Sequence, residues 1–429
     1  MSDENTRSAV DSENISVYDI EVKPEEKQLL RKLAEKVADL ANRPIEDKKQ
    51  KLWKQHNDLK TTRPLIFIDP ENGWNEIITE DDIECEHPLL QSWEKRLKKE
   101  IFWGEELKDD RVIEHYFDIN YRYQEDHYGL KENKIRVSEE GSFKYDPPIK
   151  DYKRDFDKLH YPNLEIYEEK TQKIYQMAEN ILGDILEVRL RGNWWWTLGM
   201  TWDYISLRGL DQLMIDFYDN PEWVHRMMNF LKECVMRKID FLEDNNYLSL
   251  NTGGIYVGSG GFGYTEELPQ YNFNPDKVRT KDMWGFAESQ ETSGISPDMF
   301  EEFIFPYQKE ILKRFGLNCY GCCEPLHNRW HVVKNIPRLR RVSVSPWADK
   351  KMMSEQLKQD YIYSYKPNPV SLSRPELNED RIRENIREVL EITRDNIVEI
   401  IMKDNHTIGN NPRNPVRWVE IVREEVEKG

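Results

Sequence analysis

Thiols, a carboxylate and an imidazole crowd together in Tyr320-Gly321-Cys322-Cys323-Glu324-Pro325-Leu326-His327. These groups are zinc ligands, and a catalytic zinc keeps one position open for water or substrate. Adjacent cysteines do not match the Cys-x-x-Cys spacing of structural zinc sites, so further ligands must come from other strands. Without a metal, Cys322 would be a small buried hydrophobe with an inert neighbour. His331, four residues beyond His327, reads as solvent-facing.

A second group, Lys403-Asp404-Asn405-His406-Thr407, follows an apolar run. His406 suits a metal ligand, a general base or a substrate anchor, or it orders its loop through a hydrogen bond. Glu288 and Gln290 follow Trp284-Gly285-Phe286-Ala287. On a continuing strand they share a face and can hold a substrate or metal. Alternatively they belong to the N-cap region of the helix begun by Ser296-Pro297. Trp194-Trp195-Trp196 is either a wall for a flat or apolar ligand or packing beneath a loop. Lys366 and Asn368, flanked by prolines, form either a rigid rim that meets a substrate carboxylate or a solvated turn. Gly253-Gly254 and Gly258-Ser259-Gly260-Gly261 suit a lid or a phosphate cradle.

Short apolar runs alternate with helical segments after about residue 165, which implies parallel βαβ units. The expected strands are Ile185–Leu190, Leu248–Asn251, Met283–Ala287, Leu317–Tyr320, Val342–Ser345, Tyr361–Tyr365 and Ile397–Met402, with one more from residues 112–137. Helices are expected over Glu168–Leu182, Pro221–Asp244, Ser296–Phe315 and Asn378–Arg394. Polar residues gather directly after the strands, as at the active-site rim of an α/β (β/α)8 TIM barrel. No Gly-x-Gly-x-x-Gly follows the first strand, which weighs against a dinucleotide fold. The division reads as a frayed terminus over 1–20, a mostly helical N-terminal extension over 21–160 and the barrel over 161–429. The extension, which includes Leu65-Ile66-Phe67-Ile68, would cover the barrel base or make a homodimer contact.

The 429 residues carry 62 basic and 80 acidic side chains, a formal charge of -18, which disfavours nucleic-acid and anionic-membrane partners. No apolar run approaches the ~20 residues of a membrane helix. Five cysteines, three of them within Cys319–Cys323, suggest no disulfide framework, and a cytoplasmic setting is expected.

From about residue 180 to 425 the chain resembles the uroporphyrinogen decarboxylase-like superfamily, (β/α)8 barrels that include corrinoid-linked methyltransferases. Phe286-Ala287-Glu288-Ser289-Gln290 resembles its Phe-Asp-Ser strand end, and Ser296 to Tyr307 its following helix. Asn318 to Cys323 lies where the methyltransferases carry His-x-Cys-Gly, and Asp404 to Ile408 where decarboxylases have Gly-His-Gly-Ile. The decarboxylases' Met-Arg-Gln-Ala-Gly-Arg segment is absent, Tyr320 stands in the histidine place, and the late cysteine is missing. The resemblance implies methyl transfer between a small methylated, for example methoxylated aromatic, compound and a corrinoid at a zinc site. In that chemistry zinc acts as a Lewis acid. The corrinoid is expected to sit on a separate partner protein.

The implied assignment is Cys322, Cys323, Glu324 and His406 for zinc, and His406 and Glu288 for catalysis. Trp194, Trp195, Trp196, Gln290, Lys366 and Asn368 are assigned to the substrate. The alternatives are a metal-independent decarboxylase, with Lys366, Arg189 or Arg191 neutralising carboxylates, and a non-catalytic ligand-binding barrel.

Overall fold

Strands of four to six residues, mostly buried along their whole length, need cover on both faces, the condition of parallel sheets wrapped by helices. The computed structural model describes residues 20–130, 133–136 and 143–428; the frayed terminus expected before residue 20 lies outside them. The parallel strands are β1 (Leu65–Ile68), β2 (Tyr116–Asn120), β3 (Glu187–Arg191), β4 (Trp284–Ala287), β5 (Leu317–Tyr320), β6 (Leu339–Val344), β7 (Ile362–Tyr365) and β8 (Ile397–Met402). Six of them form one sheet in the order β1-β8-β7-β6-β5-β4, and β2 pairs with β3 alone. The molecule is thus a mixed α/β protein around a central parallel sheet.

The ladder breaks at two seams. Between β1 and β2, Ile66 O accepts the Asp110 N–H at 2.8 Å, while the Asp110 and Asp109 carboxylates take the Ile66 and Ile68 N–H groups. Between β3 and β4, Leu198 N–H donates to Phe286 O, and the Asn251 amide bridges both the N–H and C=O of Trp284. Leu248–Asn251, expected as a strand, forms no ladder: its side chain at Asn251 takes over that pairing.

Leu65–Ile68 falls before the expected barrel boundary at residue 161, yet it runs along β8 from Leu65 opposite Glu399 to Ile68 opposite Met402. All four of its residues are buried, so an apolar run this short is placed by its tertiary partners. The helices Glu168–Leu182 and Pro221–Asp244 match the spacing that predicts them. The stretch expected as one helix from Ser296 is two, Pro297–Phe303 and Phe305–Leu312. Pro306 has no N–H to continue the first of these.

Helices α1 (Pro24–Ala41) and α2 (Pro44–Asn57) lie close in sequence, but α2 is more than surface cover. Trp53, His56 and Asn57 are fully buried; the Trp53 indole donates to Asp110 O at 2.7 Å, and His56 meets Glu399 of β8 at 3.1 Å. Arg341 of β6 completes that interior network, with its Nε 2.9 Å from Glu399 Oε1 and its Nη2 donating to Asn57 Oδ1.

Candidate active site

Each strand end of the site is set by a local device. After β5, Gly321 turns the chain at φ +91°, and a Cβ there would come within 2.6 Å of Leu326 Cδ1. The turn brings Glu324 back beneath the strand ends, where its two carboxylate oxygens accept the N–H groups of Ser289 and Cys322, each at 2.9 Å.

Cys322 and Cys323 then stand with their sulfurs 3.7 Å apart. Ser259 donates to Cys322 Sγ at 3.3 Å, and Cys323 faces Asp404 Oδ2 at 3.7 Å. The contact with Cys323, and then the nearby Lys403 charge, lowers the Cys322 thiol, while that same contact and burial raise Cys323. Cys322 is therefore the first of the pair to ionise. Burial works against the Lys403 charge, but Cys322, Asp404 and Glu71 around it more than restore it.

Glu288, at the end of β4, is fully buried. Its Oε2 accepts the Gln290 N–H at 2.9 Å, and Oε1 has no hydrogen-bond partner. Burial, with Glu291 and Glu324 nearby, pushes its carboxyl well above the ordinary range. Gln290 does not share its face: β4 stops at Ala287, and Gln290 opens a 3-10 turn ahead of the helix that Ser296 caps.

The zinc set does not converge. Both Glu324 oxygens hold backbone N–H groups, His406 is exposed, and a lysine, not a cation site, faces Cys322. Among the described residues no group of three or more His, Cys, Asp or Glu could hold a metal ion. The residues do not fit a zinc site. Asn405 orders the His406 loop, donating to Asp69 O at 2.8 Å. Lys366 is buried among the strands and donates to Ser364 Oγ at 2.6 Å; burial lowers it to about 8. Asn368 caps the exposed turn at Val370.

A cavity of about 460 Å³ opens beside these strand ends, inside the size range of small-molecule sites. Trp194, Trp195 and Trp196 all line it. Trp194 is anchored, its indole donating to Tyr247 O at 3.0 Å and its rings stacked on Tyr121. Trp196 packs edge-on against Phe286. The glycine-rich segment expected as a lid or phosphate cradle forms a hairpin, Tyr256–Val257 pairing with Gly261–Phe262, which lines the cavity at Tyr256 to Gly258 and reaches Cys322 through Ser259. Gly258, at φ +75°, lines the cavity and allows this, since a Cβ would lie 2.7 Å from Cys319 Cβ.

Glu71 and Asp69 also line the cavity, just beyond β1. Asp69 is fully engaged, accepting from Glu71 N–H, the Trp74 indole and the Tyr256 hydroxyl. Glu71 sits at φ +49°, a strained setting for a non-glycine residue. Burial pushes its carboxyl up to about 7, with Lys403 opposing. The signal was present in sequence: Asp69-Pro70-Glu71 follows an apolar run as the other rim groups do. A larger cleft of about 760 Å³, lined by Asn75, Thr79 and Lys95 among others, carries no comparable grouping.

No family model matches this sequence, and no curated protein does. Among solved structures the chain is similar to a methyltransferase from Methanosarcina mazei, at 10% identity and a TM-score of 0.49, over 88% of this chain and 98% of that one.

Proposed function

We propose that this protein is an enzyme built on a (β/α)8 barrel, with β2 and β3 completing the wall across the two seams. On this reading it moves a methyl group from a small methylated compound to a corrinoid carried by a separate protein. The support is the strand-end chemistry together with the motif order in the sequence. One observation carries it: an aromatic-walled cavity holds a carboxyl, Glu71, poised near neutrality at a C-terminal strand end.

Loss of a methyl group from an ether or thioether leaves an anion that must be protonated. Glu71, half-protonated near neutral pH, supplies that proton to the leaving oxygen or sulfur. Asp69 holds the Glu71 backbone, and the tryptophans exclude water from the reacting group. A reduced corrinoid, when bound, provides the nucleophile that accepts the methyl group. Glu288, its carboxyl raised by burial, is a second acid at the end of β4.

A second reading, metal-independent decarboxylation, is favoured by the arginines on one side of the cavity, Arg96 and Arg191. The test is incubation of the protein with a methoxylated aromatic compound and cob(I)alamin. Methylcobalamin absorbance appearing only with enzyme is the expected result. Carbon dioxide release that is indifferent to the corrinoid would replace this reading with the second.

A further inference from the structure

We infer that the cavity takes a small flat carboxylate, its charged group held by Arg96 and Arg191 and its ring laid against Trp194–Trp196. This rests on the cavity being the substrate site, as proposed above, and not on which reaction follows.

Arg96, Arg111 and Arg191 line one side of the cavity, and the carboxylates Asp118 and Glu100 beside them already hold arginines. Arg189 holds both oxygens of Asp118, at 2.7 and 3.1 Å. Arg111 holds both oxygens of Glu100. Arg96 is left with the backbone carbonyl of Asp118 and the face of Phe117, 4.5 Å from its centroid. Arg191 donates to Leu250 O, and its Nε stands 3.7 Å from the Asp118 oxygen that Arg189 already claims. Both side chains line the cavity, and both meet at Asp118, so their guanidinium groups are neighbours.

Burial lowers both arginines; Asp118, with Glu100 beside Arg96 and Glu114 beside Arg191, opposes it, and the neighbouring guanidinium groups add to it. A buried charge that shares its counter-ion is costly, and an incoming anion relieves it. Arginine matches a carboxylate with two parallel hydrogen bonds, a geometry a planar acid can present while its ring lies on an aromatic wall. Asp69, which also lines the cavity, is held by three donors of its own.

The test is titration of the full chain with 4-methoxybenzoate and, in parallel, with the uncharged 4-methoxybenzamide, followed by tryptophan fluorescence. The acid is expected to bind at least about tenfold more tightly, the scale of a charged hydrogen bond. That advantage should shrink in Arg96→Gln and Arg191→Gln and survive in part in Arg191→Lys. The wild-type comparison stands even where a variant fails to fold. Equal binding of acid and amide, no binding of either, or acid binding unchanged in both Gln variants would overturn the inference. Acid binding without methylcobalamin formation removes the methyl-transfer reading alone. Methyl transfer from the amide and not from the acid removes this inference alone.

Discussion

Glu324 holds Cys322 through its backbone: the carboxylate accepts the Cys322 N–H at 2.9 Å and leaves the sulfur to Ser259 and Cys323. Both Glu324 oxygens are turned to backbone N–H groups, and among the described residues no third ligand converges with the two thiols. Protein purified without chelator is therefore expected to contain far less than one zinc per chain, unchanged in Cys322→Ser. Glu324→Gln should lower stability by about 1–3 kcal/mol through one lost acceptor. Elemental analysis near one zinc per chain, lost in Cys322→Ser, would contradict this.

The proton donor sets a pH profile. Glu71 acts in its protonated form, so turnover should fall as pH rises through about 7. Glu71→Gln keeps the shape and cannot donate, and should slow turnover by about 10²–10⁴-fold and abolish that limb. The stability linkage runs the same way. Its folded value lies above the ordinary 4.5, so its contribution is full below 4.5 and is lost as pH rises through about 7. A wild-type pH profile flat from 6 to 8 would contradict the assignment.

Glu399 behaves oppositely. Burial opposes its charge, but Arg341 and His56 hold it below the usual carboxylate range. Its stabilisation is present above the ordinary value of 4.5 and is lost as pH falls below it. Glu399→Gln leaves Arg341 uncompensated and should cost about 3–5 kcal/mol. Thermal melts of the two proteins at pH 7 and pH 4 measure both effects.

The three tryptophans separate in the same way. Trp194 is almost fully buried, bonded and stacked, so Trp194→Ala should destabilise by about 3–5 kcal/mol. Trp196 is half-buried at the cavity wall, so Trp196→Ala should chiefly weaken ligand binding, by about 1–3 kcal/mol. Melting temperature set against binding constant distinguishes them.

Parallel strands buried on both faces read directly as apolar runs, and β5, β7 and β8 lie where such runs stand. Leu65–Ile68 carries the same signal, but the charged helices around it mask its place beside β8. Leu248–Asn251 fails for the reverse reason, because a side-chain amide can replace a ladder and composition does not show it. At the site, sequence spacing locates the thiols, Glu288 and the tryptophan wall. It does not show that Glu324 turns inward or that His406 turns outward, since both depend on loop conformations such as Gly321 at φ +91° and Asp404 at φ +61°. Arg96 and Arg111 come from the N-terminal extension, and only the fold brings them to the cavity.

Methyl transfer from a bound substrate is tested in one mass spectrum by incubating the protein and cob(I)alamin with a donor that carries a deuterated methoxyl group and a ¹³C carboxylate. The corrinoid product is expected to carry the deuterated methyl group while the ¹³C stays in the demethylated acid. Labelled carbon dioxide with an unlabelled corrinoid would contradict it.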